Sequence, residues 1–190
     1  MRALLPLVLC SVTTGCAEYF GDKDREMGEP LGVYSLQANA DMTSTCTEII
    51  NATPRPWSFE ITLRRDGKKG YWVSGPEPIE GSIDEEGQLA FKQTIPVTVH
   101  GVDKARGLGA CTILRTDDFA GQLAGAPTTT EGKASFTGTL RYSYQIAAGS
   151  DCRDVVGVPS EERTSPLFAV LPCDARFAVA ATRKGDVTPR

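Results

Sequence analysis

The sequence contains a single histidine and no C-x-x-C pair among its six cysteines. One histidine excludes metal sites that need two, such as the H-E-x-x-H motif, and without a C-x-x-C pair the usual zinc and dithiol redox motifs are missing. Positive charge is also scarce, because 24 acidic residues outnumber 20 Lys and Arg, for a net charge of −4. Since nucleic-acid affinity comes largely from cationic side chains, we expect no nucleic-acid partner.

The sequence also lacks the usual enzyme motifs, with no Walker A, G-x-S-x-G or G-x-G-x-x-G pattern. His100 is a candidate general base, but it ends a strand-like run before Gly101 and no nucleophile is evident beside it. Adjacent acidic pairs at 85–86, 117–118 and 161–162 would point to opposite faces of a strand, and we interpret them as soluble turns. The sequence therefore predicts a protein that is not an enzyme and uses no cofactor or metal.

An apolar run at 3–12 follows Met1-Arg2 and is too short to cross a bilayer, which takes roughly 20 apolar residues. Its length is typical of a signal-peptide core. The run leads into Thr13-Thr14-Gly15-Cys16, which resembles the lipobox of bacterial lipoproteins. The resemblance implies cleavage before Cys16, a lipid on its thiol, and anchoring in the cell envelope, most simply in the outer membrane because no Asp follows Cys16. The alternative is an ordinary secretory signal cut near Cys16.

The chain is accordingly divided into a signal peptide (1–15), a flexible tether (16–30) and one globular domain (31–190). Beyond Cys16 the exported protein keeps four cysteines, and an even number in an oxidising compartment predicts two disulfides. Three pairings are open. We favour Cys152–Cys173 with Cys46–Cys111, because Cys152 follows one strong strand and Cys173 begins the next, so antiparallel pairing would bring them together.

Alternation of apolar and polar residues dominates the globular domain. It is clearest in 134–147, where one face of a predicted strand holds Phe136, Gly138, Leu140, Tyr142, Tyr144 and Ile146. A hairpin is predicted from 59–64 into 71–73, and further strands are predicted at 31–38, 79–83, 89–99, 110–115, 118–124 and 174–182. Pro96 predicts an edge strand or a bulge. At most one short helix is expected, at 41–51.

Eight or nine strands in sequence, without interspersed helices, predict an all-β antiparallel meander. We favour a small β-barrel over a two-sheet β-sandwich. Gly32-Val33-Tyr34 and Thr116-Asp117-Asp118-Phe119 loosely resemble the Gly-x-Trp and Thr-Asp-Tyr motifs of lipocalins. That resemblance implies a barrel that holds an apolar ligand in its mouth.

Four aromatic residues are candidates for lining such a cavity: Trp57, Trp72, Tyr142 and Tyr144. In a small barrel such residues more often serve plain core or interface packing. Two functions therefore stay open. The first is a membrane-anchored lipoprotein that binds a small apolar or amphipathic ligand. The second is an interaction or structural envelope lipoprotein, such as an inhibitor or assembly accessory, whose barrel or sandwich is filled and whose partner is another envelope protein.

Overall fold

The fold is all-β, as the alternation predicts. A computed structural model describes residues 27–40, 45–46, 57–124, 135–157 and 166–186, and these contain no helix. The eight strands are β1 (Glu29–Ala40), β2 (Trp57–Asp66), β3 (Lys69–Val73), β4 (Ile79–Ile83), β5 (Gln88–His100), β6 (Cys111–Ala124), β7 (Ser135–Ile146) and β8 (Cys173–Gly185). The helix predicted at 41–51 lies outside the described residues, apart from a turn at Thr45 and Cys46.

The strands form a closed barrel in which every strand pairs antiparallel with its neighbours in sequence. β8 closes the barrel against β1, with Leu36 opposite Ala181. We call the end at which β1, β3, β5 and β7 finish the mouth end, and the opposite end the base end. β1 begins at the base end with Glu29, so the last two residues of the predicted tether, Glu29 and Pro30, belong to the strand. The barrel is therefore confirmed over the sandwich.

β7 and β8 show why these sequences form strands of a barrel. The alternating residues of β7 place Phe136 and Leu140 in the core while Thr137, Thr139 and Arg141 are exposed. In β8 the odd-numbered residues face the interior of the barrel, and all of those from 173 to 181 are buried: Cys173, Ala175, Phe177, Val179 and Ala181. Since side chains alternate across a strand, one apolar face suffices to build the interior of the barrel.

The base half of the barrel is filled by apolar side chains. Tyr34, Leu36 and Phe136 are fully buried there. The ring of Phe136 lies 5.2 Å from that of Tyr34 and 5.7 Å from that of Phe119, and the Phe119 ring lies 5.0 Å from Trp72. Burying each such side chain stabilises the fold by roughly 1.5–3 kcal/mol. The base half therefore forms the packed core.

A glycine pair makes room for one of these rings. Gly121 and Gly138 lie opposite each other on β6 and β7. A Cβ atom on Gly138 would lie 2.6 Å from the Phe119 ring and 2.5 Å from the Ala120 carbonyl oxygen. Because neither glycine has a side chain, there is room on the inner face of the sheet at this position, and the Phe119 ring occupies it.

β6 differs from the predicted strands, whereas β5 agrees with the prediction made from Pro96. The runs predicted at 110–115 and 118–124 are one continuous strand, β6, because Asp117 faces the interior of the barrel instead of forming a turn. Pro96 lies on an edge, as predicted. β4 pairs with β5 only as far as Phe91, and no described strand pairs with the remainder of β5 on that side. A bulge also follows, between Thr98 and His100.

The favoured disulfide pairing is wrong. The structure joins Cys46 to Cys173 and Cys111 to Cys152. β7 ends at Ile146, and it is Tyr144 that lies opposite Cys173, so Cys152 belongs to the following loop. That loop returns to the start of β6, where the Asp151 amide donates to the Ala110 carbonyl (2.9 Å). Cys46 reaches β8 because the Thr45 and Cys46 amides both donate to the Asp174 carbonyl (2.8 and 3.2 Å).

Candidate functional site

The mouth half of the barrel contains a cavity of about 320 Å³, which we call the cup. Its floor is the top of the packed core, formed by Trp72, Phe91, Phe119 and Leu140. The wall combines apolar residues with a few polar ones: Trp57, Phe59, Ser74, Ile79, Gln93, Arg115, Asp117 and Tyr142. The lining residues come from β2 to β7 and the turn after β3, so strands that are distant in sequence build the cup together.

A second cavity of about 400 Å³ adjoins the cup on the side of β8 and shares Trp57, Arg115 and Tyr142 with it. Its other lining residues are Cys46, Tyr144, Ala175 and Phe177. All four aromatic residues singled out in the sequence therefore lie at these two cavities. Trp57 and Tyr142 line both, Trp72 lies at the floor of the first, and Tyr144 lines the second.

The aromatic wall is built from rings that pack on one another. Trp57 stacks on Phe59 with 4.8 Å between centroids and contacts Phe177 edge-on at 5.5 Å. Phe177 in turn meets Tyr142 at 5.7 Å. Offset and edge-on contacts of this kind stabilise ring positions beyond simple burial. The wall is therefore a connected set of rings around the cavity.

The charged side chains that line the described cavities form one ion pair, Arg115 and Asp117 on β6. The Arg115 guanidinium donates from Nε to Oδ1 (2.7 Å) and from Nη2 to Oδ2 (2.8 Å) of Asp117. The Gln93 amide nitrogen also donates to Oδ2 (3.2 Å). Asp117 is only 9% exposed, and a carboxylate at that depth requires such partners.

Two tyrosines add hydroxyl groups beside this pair. The guanidinium carbon of Arg115 lies 5.3 Å from the centre of the Tyr142 ring, within range of a cation–π contact. Burial raises the pKa of Tyr142 to about 12, with the Asp117 charge acting in the same direction. Burial likewise raises the pKa of Tyr144. Both hydroxyls are protonated at neutral pH, as in any tyrosine, and can donate hydrogen bonds.

Arg115, Asp117 and Gln93 were missed by reasoning from the sequence. For Arg115 and Asp117, the available signal is the two-residue spacing of Ile113, Arg115, Asp117 and Phe119, which continues the strand pattern. The adjacent acidic pair Asp117-Asp118 obscures this signal, because such pairs are typical of turns. The two carboxylates do point to opposite faces, as expected: Asp118 is on the outer face, 3.6 Å from Lys92 Nζ.

The loop after β7 packs over part of the mouth end. Phe168 lies 5.4 Å from the Tyr144 ring, and Val155 and Phe168 are both buried against the core. The Cys111–Cys152 disulfide ties this loop to the start of β6. One rim of the mouth is therefore held in place covalently.

His100 lies at the mouth end of β5 and is not among the residues that line the two cavities. Its Nδ1 is 2.8 Å from the Gly101 carbonyl oxygen, and its Nε2 is 3.0 Å from Asp154 Oδ1. Both partners are hydrogen-bond acceptors, so the doubly protonated ring satisfies both contacts. Within the described residues, no group of three His, Cys, Asp or Glu side chains is arranged to hold a metal ion.

Cys16, the predicted lipid attachment site, lies outside the described residues. Within the part of the chain that the structure describes, no helix has the length and hydrophobicity to cross a membrane. Comparison of the chain with protein-family models, with curated proteins and with solved structures finds no match in any of the three.

Proposed function

We propose that this protein is a non-enzymatic lipoprotein of the bacterial outer membrane whose β-barrel binds a small apolar or amphipathic molecule in the cup. The observation that supports binding is a cavity of about 320 Å³ with an aromatic floor and wall and a few convergent polar groups. Small-molecule sites typically have volumes of about 300–1,000 Å³ and this mixture of lining residues. A barrel with a filled interior, as the alternative function requires, would have no such space.

The position of the chain's entry into the barrel fits a tethered binding protein. β1 begins at the base end, opposite the cup. An anchor upstream of β1 thus joins the barrel at the end away from the mouth. A lipid on Cys16 would hold the protein at the membrane surface while the cup faces the aqueous space. Two or three acyl chains are enough for stable anchoring.

Ligand binding is tested by titrating the purified protein with N-phenyl-1-naphthylamine, an uncharged dye that fluoresces in apolar sites. We expect saturable binding, accompanied by a change in tryptophan fluorescence, because the chain's only two tryptophans, Trp57 and Trp72, line the cup. The variant Gln93→Trp should lose binding, since Gln93 lines the cup and a larger side chain there would fill it. Lys92→Trp, on the outer face of the same strand, is the matched control and should bind normally. Equal binding by both variants would refute the site.

The anchor is tested by mass spectrometry of protein isolated from its own membrane. We expect an N-terminal peptide that begins at Cys16 and carries the added mass of acyl chains. The variant Cys16→Ser should leave the membrane fraction or remain unprocessed. An unmodified N-terminus on the wild-type protein would contradict the lipoprotein assignment.

The second candidate function is interaction with another envelope protein, as an inhibitor or assembly accessory. Two observations favour it. The edge of β5 beyond Phe91, with which none of the described strands pairs on the β4 side, offers backbone hydrogen-bonding groups to a partner. The exposed large hydrophobic residues of the described chain also lie towards the mouth end: Val97, Val102, Ile146, Leu167 and Val170. This function predicts no saturable dye binding, so the titration distinguishes the two.

A further inference from the structure

The ion pair in the cup has unequal hydrogen-bonding capacity on its two sides. Asp117 accepts three hydrogen bonds, two from Arg115 and one from Gln93. A guanidinium has five N–H donors, and Arg115 uses two of them on Asp117. In the described part of the chain, no acceptor contacts the other three. Because Arg115 lines both cavities, these three N–H groups are available to donate hydrogen bonds to a molecule bound in the cup.

Neighbouring side chains reinforce this excess of donors. The hydroxyls of Tyr142 and Tyr144 have no hydrogen-bond partner within the described residues. Both are protonated at neutral pH, as tyrosine normally is, and burial raises the pKa of each further. The Tyr142 ring lies against the guanidinium, and the fork of two bonds to Asp117 fixes the orientation of Arg115. The donors are therefore held in position before anything binds.

Charge limits which acceptor suits this site. Arg115 and Asp117 are the charged residues among those that line the described cavities, and their charges cancel. A carboxylate placed here would bring a second anion beside Asp117, and like charges at such short range repel. A cation would leave the surplus donors without an acceptor. An uncharged acceptor accepts hydrogen bonds from the Arg115 donors without repulsion from Asp117.

We infer that the cup binds an uncharged molecule with an apolar ring body and a carbonyl-type acceptor, the body against the aromatic floor and the acceptor hydrogen-bonded to Arg115. The inference rests on the ligand-binding function proposed above and narrows it to one chemical class. Rings suit the floor because Trp72, Phe91 and Phe119 present ring surfaces to the cavity.

Three naphthalene compounds of matched shape test the head group. They are 2-acetylnaphthalene, with an uncharged carbonyl, 2-naphthoate, with a carboxylate, and 2-ethylnaphthalene, with no acceptor. Each is titrated into the wild-type protein, with displacement of N-phenyl-1-naphthylamine as the readout. We expect the ketone to bind about tenfold tighter than the hydrocarbon, which corresponds to about 1.4 kcal/mol, and naphthoate to bind no tighter than the hydrocarbon. The inference is overturned if naphthoate binds tightest or if ketone and hydrocarbon bind equally.

Two variants assign the preference to the ion pair. Arg115→Met with Asp117→Leu replaces both partners by apolar side chains, which proteins often tolerate without loss of stability. This double variant should bind the ketone and the hydrocarbon equally well. Asp117→Asn keeps the shape but removes the negative charge, so it should bind naphthoate at least tenfold tighter than the wild-type protein does. Retention of the ketone preference in the double variant, or unchanged naphthoate binding in Asp117→Asn, would disprove the role of the pair.

The two levels of the proposal fail in different ways. If neither the dye nor any naphthalene binds the wild-type protein, the ligand-binding function and this inference are both wrong. If the dye and the hydrocarbon bind but the ketone has no advantage, the cup is an apolar site, and only the inference about its ligand fails.

Discussion

His100 is the residue whose protonation has the clearest consequence for the folded state. Its ring lies between the Gly101 carbonyl and the Asp154 carboxylate, and both contacts favour the charged ring, so they raise its pKa above the ordinary value of about 6.5. The Arg106 guanidinium, 3.5 Å from Asp154, acts in the opposite direction but more weakly. Through these contacts His100 links the end of β5 to the loop that follows β7.

The stability of the protein should consequently fall as the pH rises past neutrality. The folded state holds the His100 proton more tightly than the unfolded chain does, so this stabilisation is complete below about pH 6.5 and is lost as the pH rises through the folded pKa. Urea unfolding of the wild-type protein and of His100→Gln, at intervals between about pH 5 and 9, measures it. The stability difference between them should shrink with rising pH. Parallel profiles for the two proteins would contradict the role of His100.

Gly138 is a residue at which added volume should be poorly tolerated. A methyl group there would collide with the Phe119 ring and with the Ala120 carbonyl, which belongs to the backbone of β6 and cannot move alone. We expect Gly138→Ala to lower the free energy of unfolding by about 1–3 kcal/mol, the usual effect of overpacking. Gly185→Ala is the control in urea unfolding, because Gly185 is also in a strand but has open space around it. Equal stabilities for the two variants would exclude the clash.

At the scale of elements, the loop after β7 is the segment that determines the disulfide pattern. It carries Cys152 back to the start of β6, while Cys173 begins β8 beside the turn that contains Cys46. Each bridge joins a loop to the first residue of a strand at the mouth end. On the chain-entropy model, bridges that close 127 and 41 residues stabilise the fold by roughly 4–5 kcal/mol each.

The pairing is directly measurable, because trypsin separates the four cysteines into different peptides. Without reduction, we expect the peptide 107–115 to be linked to 142–153, and 26–64 to be linked to 164–176. Mass spectrometry before and after reduction identifies these pairs. A link between 142–153 and 164–176 would instead support pairing of Cys152 with Cys173 and contradict the structure.

At the scale of the whole molecule, closure of the barrel depends on contacts between its two chain ends. β1 and β8 pair over Val33–Ala40, and the first residue of β1 and the last residue of β8 both lie at the base end. The order of the strands around the barrel is therefore cyclic, and the polypeptide could be opened at another turn without loss of any strand pair.

A circular permutant tests this cyclic order. Asp186 is joined to Met27 by a flexible linker of about eight residues, and new termini are opened between Gly67 and Lys68, in the exposed turn of the β2–β3 hairpin. We expect one cooperative unfolding transition and dye binding close to that of the wild-type protein. A second permutant, opened between Thr116 and Asp117 inside β6, should lose both properties because it interrupts a central strand. If the first permutant fails to fold, closure through β1 and β8 is wrong.

Alternation determined the secondary structure and the fold class from the sequence alone. Phe136 and Leu140 share one predicted face because the side chains of a strand alternate whatever strand lies beside it. Pro96 predicts an edge or a bulge because proline has no backbone N–H to donate. The same local reasoning identified Trp57, Trp72, Tyr142 and Tyr144 as candidates for lining a cavity. It could not place them around the two adjoining cavities, since that depends on which strands become neighbours.

Only the tertiary structure decided the disulfide pairs and the chemistry of the cup. Cys152 pairs with Cys111 because the segment directly after β7 stays beside the start of β6, a path that no local propensity specifies. Asp117 became a buried ion partner because β6 runs straight through a polar sequence that resembles a turn, and Gln93 meets it from the adjacent strand. Local sequence determines which way each side chain points, whereas register and closure between distant segments determine what it meets.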